Sequence, residues 1–382
     1  MSDTDPEIHR TSDRLARRTP RPLRMRRRLL GVAAFLASVA AVAAVVLASL
    51  HVHLPFGLSS TPPAHSATTG ATGTTGVRRP INTRTITVAP LGSLATPASR
   101  MAAVPFGTGG ALFFGGLDAS GSPIDTVQNF QAATATNAGT LPAPDASAVA
   151  AALGPNIYLF GGANSTIYQL TGTSFSVAGS LPAATADAAV ATVAGTAYVI
   201  GGYTGSAELD TIVAYTPNAP GNVTGSTTGS TAGTPTGVAT TQIVATLPVA
   251  LRFPAAAAIG GQVYIAGGST AGIPSATVYR FDPTTDTVTT VATLPHARDR
   301  ESAAALGGKL YVIGGTNAAG VRTRAIYAVN PASGAVRLAG ILPFALSDTT
   351  AVSGSGEIII AGGLSAAAAP SAAIYAMTVS GS

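Results

Sequence analysis

Six pairs of adjacent glycines, each ending a short apolar run, recur along this chain. The pairs begin at Gly115, Gly161, Gly201, Gly267, Gly314 and Gly362. Successive pairs are therefore 46, 40, 66, 47 and 48 residues apart. Leu-Pro dipeptides recur at similar intervals, and the degenerate stretch Leu94–Pro97 precedes them. We call the leucines of these motifs the marker leucines: Leu94, Leu141, Leu181, Leu247, Leu294 and Leu342. Two markers in phase at this interval indicate an array of structural repeats.

The interval predicts a β-propeller rather than a helical solenoid, because propeller repeats are about 40 to 50 residues long and contain four strands. Each repeat contains short runs rich in Tyr, Val and Ile, which fit strands with one buried face. The first strand of each repeat consists of small residues, as in Ala148–Leu153 and Ala255–Ile259. Propeller blades narrow toward the central axis, where only small side chains fit.

The two ends of the array complement each other. The sixth repeat stops shortly after its third strand, Ile374–Met377, whereas an unassigned strand, Thr83–Val88, precedes the first repeat. We expect this N-terminal strand to complete the last blade and so remove an exposed sheet edge. The third interval is long because a polar stretch, residues 218–240, is inserted as a surface loop. Residues 83–382 are thus predicted to form an all-β, closed, six-bladed propeller.

The repeats resemble the kelch family most clearly over Val278–Gly315, VYRFDPTTDTVTTVATLPHARDRESAAALGGKLYVIGG. The tryptophan that kelch repeats carry in the fourth strand is absent, and Val288 is one of the residues that replace it. The resemblance implies a kelch-type propeller across residues 83–382. It does not depend on the tryptophan, because the spacing and the glycine pairs are independent of that position.

The excess positive charge is confined to the N-terminal tail. Residues 1–28 carry nine arginines and four acidic residues, whereas the remaining chain carries twelve basic and twelve acidic residues. The net positive charge of the chain therefore does not indicate nucleic-acid binding by the repeats.

An uncharged segment of 22 residues, Leu29–Leu50, follows the tail. As a helix it would extend roughly 33 Å, enough to cross a hydrocarbon core. The upstream arginines predict a cytoplasmic N-terminus and an exported repeat array. A cleaved signal peptide is the alternative, and Arg26–Gly31 resembles a twin-arginine signal. We expect an uncleaved single-pass signal-anchor in the cell membrane (29–50), a flexible Ser/Thr/Gly/Pro linker (51–82) and an extracytoplasmic propeller.

The residues offer little for catalysis. The chain has no cysteine, and His296 is the only histidine after residue 82, so thiolate chemistry and a His/Cys metal site are not expected. No Gly-Lys-Ser/Thr follows any glycine pair, which argues against a phosphate-binding loop. We therefore expect neither a metal nor a cofactor.

Charged residues cluster four to seven positions after each marker leucine, where the chain enters the first strand of a repeat. The candidate residues are Arg100, Asp145, Asp187, Arg252, Arg298, Arg300, Glu301 and Asp348. Because these loops share one face of a propeller, the pattern predicts a charged ring at the mouth of the central funnel. The ring has two interpretations: salt bridges that seal neighbouring blades together, or a funnel whose arginines clamp an anionic or hydroxyl-rich ligand.

These observations favour a non-catalytic module that binds an unidentified protein or glycan ligand, with membrane contact through residues 29–50 and no nucleic-acid partner. An enzymatic alternative comes from the resemblance, because sialate mutarotases are six-bladed kelch proteins of bacterial envelopes. Opening a sugar-acid ring needs only arginine and carboxyl groups. Arg252, Arg300 and Glu301 supply those groups here.

Overall fold

The computed structural model describes residues 85–217 and 239–380, and every regular element within these ranges is a β-strand. The all-β prediction is thereby confirmed. The tail (1–28), the proposed anchor (29–50), the linker (51–82) and most of the inserted loop (218–240) lie outside the described residues. Among the residues described, no helix has the length and apolar character to span a bilayer.

The strands follow one another along the chain with short connections. In order they are β1 (Thr85–Ser93), β2 (Ala102–Pro105), β3 (Ala111–Phe114), β4 (Thr126–Gln131), β5 (Thr134–Thr140), β6 (Ala148–Leu153), β7 (Asn156–Gly161), β8 (Asn164–Thr171), β9 (Ser174–Thr185), β10 (Ala189–Val193), β11 (Thr196–Ile200), β12 (Thr211–Thr216), β13 (Thr240–Thr246), β14 (Ala255–Ile259), β15 (Gln262–Ala266), β16 (Ser269–Thr270), β17 (Ile273–Asp282), β18 (Thr287–Asp299), β19 (Ser302–Leu306), β20 (Lys309–Ile313), β21 (Thr316–Asn317), β22 (Ala325–Val329), β23 (Val336–Ile341), β24 (Leu346–Ser347), β25 (Thr350–Ser353), β26 (Glu357–Ala361), β27 (Leu364–Ser365) and β28 (Ala373–Ser380).

Each repeat of the sequence contributes strands that pair antiparallel in chain order. Repeats 2, 3 and 5 form separate four-stranded sheets, β6-β7-β8-β9, β10-β11-β12-β13 and β19-β20-β22-β23. Repeat 4 forms β14-β15-β17-β18, with the short strand β21 added at its edge. Repeat 1 forms β2-β3-β4-β5, which is continuous with β1-β28-β26-β25 of repeat 6 in one eight-stranded sheet.

The N-terminal strand pairs with the last strand of the chain, as the sequence predicts. Strand β1 runs antiparallel to β28, with Thr85 opposite Ser380 and Ser93 opposite Ala373. It extends five residues beyond the predicted end at Val88, through a register shift between Pro90 and Gly92. A single parallel bridge from Ser93 to Thr134 of β5 connects repeat 6 to repeat 1.

The innermost strands surround a central channel. Strands β2, β6, β10, β14, β19 and β25 neighbour one another in that order, and β25 returns to β2. They line a cavity of about 360 Å³ with small side chains such as Ala151, Ala257 and Ala304. The prediction that small residues occupy the narrow inner edge is confirmed.

Aromatic side chains fill several of the spaces between neighbouring repeats. Tyr158 of repeat 2 contacts Tyr215 of repeat 3, with ring centroids 5.2 Å apart. Tyr198 of repeat 3 contacts Phe281 of repeat 4 at the same distance, 5.2 Å. Burying a large apolar side chain contributes about 1.5–3 kcal/mol, so these contacts hold adjacent sheets together in the absence of disulfides.

The glycine pairs are required by the backbone, and Gly201 illustrates the reason. Its φ angle is 61°, in the left-handed region that residues with a β-carbon disfavour. A β-carbon at Gly201 would lie 2.5 Å from the carbonyl oxygen of Leu251. That oxygen accepts a hydrogen bond of 2.8 Å from the amide of Gly202, so the pair joins repeat 3 to the loop that enters repeat 4.

Candidate functional site

One position of each repeat meets its counterparts at the mouth of the channel. This position lies six residues after the marker leucine, and we call its six members the axial ring. The axial ring consists of Arg100, Ser147, Asp187, Phe253, Arg300 and Asp348. All six line a single cavity of about 120 Å³. The constant offset from the leucine places equivalent side chains of different repeats side by side.

Backbone hydrogen bonds connect neighbouring members of the axial ring. The amides of Arg100 and Phe253 donate to the carbonyl oxygens of Asp348 and Asp187, each at 2.8 Å. The amide of Asp348 donates to Arg300 at 2.8 Å, and that of Asp187 donates to Ser147 at 3.1 Å. The repeats are therefore joined at the channel mouth by main-chain contacts as well as by side chains.

Five of the six axial residues have left-handed backbone conformations, with φ angles between 55° and 58°. This conformation costs a residue with a side chain about 1–2 kcal/mol relative to a right-handed one. The main-chain bonds between repeats offset part of that cost. Strained backbone of this kind concentrates at functional sites, which directs attention to the side chains that it orients.

Three arginines surround the ring of Phe253. The guanidinium carbon lies 3.8 Å from the ring centroid for Arg300, 4.7 Å for Arg252 and 5.1 Å for Arg100. Arg252 also lies over the ring of Tyr203, at 4.2 Å. Each such contact contributes about 0.5–1 kcal/mol at a partly exposed site. The aromatic ring therefore holds three like charges together at the axis.

Two buried carboxylates compensate these charges. Asp187 pairs with Arg252, with 2.6 Å between Oδ2 and Nη2, and with Arg100. Asp348 accepts a hydrogen bond of 3.2 Å from Nη1 of Arg300. The aspartate side chains are only 2% and 3% exposed, whereas that of Arg300 is 34% exposed. The side chains that face solvent are thus cationic, and the three guanidiniums exceed the two carboxylates.

These ion pairs also support the interpretation in which salt bridges seal neighbouring repeats together. Each pair joins residues of two different repeats, so the pairs contribute to cohesion between repeats. Burial is the largest influence on the pKa of Arg100 and Arg252 and lowers both. Arginine remains protonated in proteins despite such shifts, and the site keeps its positive charge at neutral pH.

Two of the predicted site residues stabilise the surrounding structure instead. Arg298 is almost completely buried, donates a hydrogen bond of 2.9 Å to the carbonyl oxygen of Gly314, and lies 4.5 Å from the ring centroid of Tyr327. Asp145 accepts hydrogen bonds from the amides of Ser147 and Ala148, at 2.7 and 2.8 Å. Neither side chain lines the axial cavity.

Glu301 forms part of the wall of the axial cavity and is buried. The amide of Gly268 donates a hydrogen bond of 3.1 Å to its Oε1, whereas Oε2 is buried without a hydrogen-bond partner. Burial raises the pKa of Glu301 well above its ordinary value. Burial therefore makes the protonated form of this carboxyl, which can donate a proton or a hydrogen bond, more favourable than it is for an exposed glutamate.

The structure brings Arg100, Asp187, Arg252, Arg300 and Asp348 together, and it adds residues that a search for charge does not identify. The additions are Ser147, Phe253 and Tyr203. The first two could have been found from the six-residue offset, which selects them in repeats 2 and 4. Among the residues described, no group of three or more His, Cys, Asp or Glu side chains is arranged to hold a metal ion.

Comparisons with known proteins agree with this architecture. The sequence pattern described as "Kelch motif" matches residues 250–295 and 302–339, within repeats 4 and 5. The solved structure titled "Structure of YjhT" has a TM-score of 0.60 to this chain at 14% sequence identity. The match covers 75% of this chain and 99% of that chain, and at this identity it shows a shared fold. No curated protein sequence matches.

Proposed function

The chain belongs to the kelch-repeat β-propellers, and from this premise we propose that it is a non-catalytic binding module whose ligand site is the axial ring. We further propose that the propeller has six blades, one for each repeat. The cyclic order of the six innermost strands and the pairing of β1 with β28 support this count.

The ligand that the axial ring fits best carries a carboxylate. The observation that carries this proposal is the convergence on Phe253 of three guanidiniums that pair with two buried carboxylates. Among the described residues, the side chain of Arg300 donates one hydrogen bond, to Asp348, and it lines the axial cavity, so it keeps further donors for a ligand. A planar carboxylate accepts two parallel hydrogen bonds from a guanidinium.

The size of the cavity limits how much of the ligand it encloses. At about 120 Å³ it accommodates a carboxylate and the few atoms that carry it, whereas typical small-molecule pockets measure about 300–1,000 Å³. The rest of the ligand must lie outside the mouth. This geometry suits the end of a larger molecule, and an acidic sugar at the end of a glycan is the class we propose.

Replacing Arg300 should weaken binding without unfolding the protein. We expect sialic acid, used as the probe, to bind the full-length protein, and Arg300→Gln to reduce its affinity about tenfold, since hydrogen bonds to charged groups contribute about 1.5–3 kcal/mol. Calorimetric titration measures the affinity, and thermal melting measures stability.

Lys309→Gln is the matched control, because Lys309 begins β20 after the turn at the end remote from the channel mouth. It removes the same charge and should leave binding unchanged. An Arg300→Gln protein that binds normally but melts at a lower temperature would support the sealing interpretation instead. Absence of sialic acid binding to the unaltered protein would contradict the acidic-sugar class.

A second candidate function, sugar-acid mutarotase activity, is favoured by Glu301. Its carboxyl, whose pKa is raised by burial, lines the same cavity as the carboxyl of Asp348, and an acid and a base at one site are the groups that ring opening requires. Incubating the protein with sialic acid and following the exchange between its anomers by NMR distinguishes the two functions. Acceleration that Glu301→Gln abolishes while binding persists would establish the enzyme.

We also propose that residues 29–50 anchor the protein in the cell membrane, with the propeller outside. The uncharged segment and the nine arginines before it support this arrangement. Protease added to intact cells should release a fragment that begins within residues 51–82, while a cytoplasmic marker protein stays intact. Protection of the propeller until lysis would contradict the orientation, and its release without protease would indicate cleavage.

A further inference from the structure

A third cavity, of about 320 Å³, lies between repeats 1 and 2. Its apolar walls include Leu112 and Val127 of repeat 1 and Ile157, Leu170 and Phe175 of repeat 2. It shares no lining residue with the axial cavity. Phe106, at its margin, is 41% exposed, so the cavity opens to solvent. We call it the inter-repeat cavity.

The cavity exists because two aromatic positions are occupied by leucines. One position lies three residues before each glycine pair, and the other lies on the third strand of the following repeat. The pairs at the other interfaces are Tyr158 with Tyr215, Tyr198 with Phe281, Tyr264 with Val329, Tyr311 with Met377, and Ile359 with Phe130. Only the pair Leu112 and Leu170 contains no aromatic ring among these described positions. The volume that an aromatic ring would occupy at this interface is therefore empty.

One polar group interrupts the apolar lining. Asn129 lies opposite Leu112 in the pairing of β3 with β4 and lines the cavity. Its Oδ1 atom is buried and has no hydrogen-bond partner. A buried acceptor without a partner is unfavourable, and a ligand that donates a hydrogen bond would satisfy it. No Asp, Glu, Lys or Arg lines the cavity, so a charged ligand would lose its hydration without compensation.

We propose that the inter-repeat cavity is a binding site for an uncharged, mainly apolar small molecule that carries one hydroxyl group. The hydroxyl donates to Oδ1 of Asn129, and a ring system packs between Leu112, Leu170 and Phe175. The volume is at the lower end of the range for ligand pockets, about 300–1,000 Å³, which limits the ligand to one or two fused rings.

Binding of 2-naphthol to the full-length protein tests this site. Leu112→Tyr introduces the residue that repeats 2 to 5 carry at the equivalent position and should fill the cavity. We expect saturable binding to the unaltered protein and at least a tenfold loss of affinity in Leu112→Tyr. Because the full-length protein carries the proposed membrane anchor, both proteins are measured in the same detergent, and the variant corrects for partitioning of the probe into it. Ala138→Leu, which fills the cavity from β5, is a second variant in case the first does not fold.

The hydrogen bond is tested separately with naphthalene, which lacks the hydroxyl. Asn129→Ala should weaken 2-naphthol about two- to tenfold, as loss of one net hydrogen bond predicts, and should leave naphthalene unaffected. Gln169→Ala is the matched control, because Gln169 occupies the equivalent strand position in repeat 2 but does not line the cavity. Absence of saturable binding would overturn the proposal. So would binding to Leu112→Tyr and Ala138→Leu that equals binding to the unaltered protein. An equal loss of both probes in Asn129→Ala would overturn the role of the hydroxyl.

Discussion

Deleting residues 85–93 should prevent the propeller from closing and should cause the protein to aggregate. These residues form β1, which pairs with β28 at eight positions and buries Ile86 against repeats 5 and 6. Without β1, the outer edge of β28 presents unpaired amide and carbonyl groups to other molecules. The lost side-chain burial and hydrogen bonds together amount to several kcal/mol, a large part of the 5–15 kcal/mol that stabilises a typical protein.

Size-exclusion chromatography and thermal melting, with the remainder of the chain intact, measure this effect. A deletion of equal length in the linker, residues 60–68, is the control and should change neither property. A β1 deletion that remains monomeric and melts at the normal temperature would contradict closure by this strand.

The second large effect is expected from Gly201→Ala. A left-handed backbone costs alanine about 1–2 kcal/mol. The β-carbon would in addition contact the carbonyl oxygen of Leu251, at 2.5 Å, and would disturb the hydrogen bond that this oxygen accepts from Gly202. Loss of a buried hydrogen bond adds about 1–3 kcal/mol. Urea unfolding should therefore show a loss of about 2–5 kcal/mol.

Gly260→Ala separates the two contributions. Gly260 has a φ angle of 59°, close to that of Gly201, but a β-carbon there would meet nothing within 4 Å. We expect this control to lose only about 1–2 kcal/mol, from the backbone term alone. Equal losses in the two variants would show that close packing against Leu251 is not the reason for glycine at position 201.

Much of the fold was predictable from the sequence because its repeat is set by backbone requirements. The glycine pairs mark positions such as Gly201 where a β-carbon does not fit, and small residues such as Ala257 mark the inner strands. The end of β1 was not predictable in the same way. Pro90 lacks an amide hydrogen and normally interrupts a strand, and here a register shift carries the pairing past it.

The site was only partly predictable, because charge does not determine where a side chain points. Arg298 and Arg300 are two residues apart, yet the first is buried against Tyr327 and the second lies over Phe253 at the axis. Arg300 has a left-handed backbone conformation, with a φ angle of 56°, which the sequence pattern does not reveal. Phe253 was missed because a count of charged residues omits the aromatic ring that the arginines surround.

The position of β1 also determines how the propeller responds to a pulling force. The chain enters the described structure at Thr85, which is the first residue of the closing strand and lies opposite Ser380. Tension applied along the chain from the N-terminal side therefore reaches the hydrogen bonds between β1 and β28 first. On its other side β1 is held by one bridge, from Ser93 to Thr134. A force that strips β1 away removes the outer strand of repeat 6 and its bridge to repeat 1 before it loads the sheets of repeats 2 to 5.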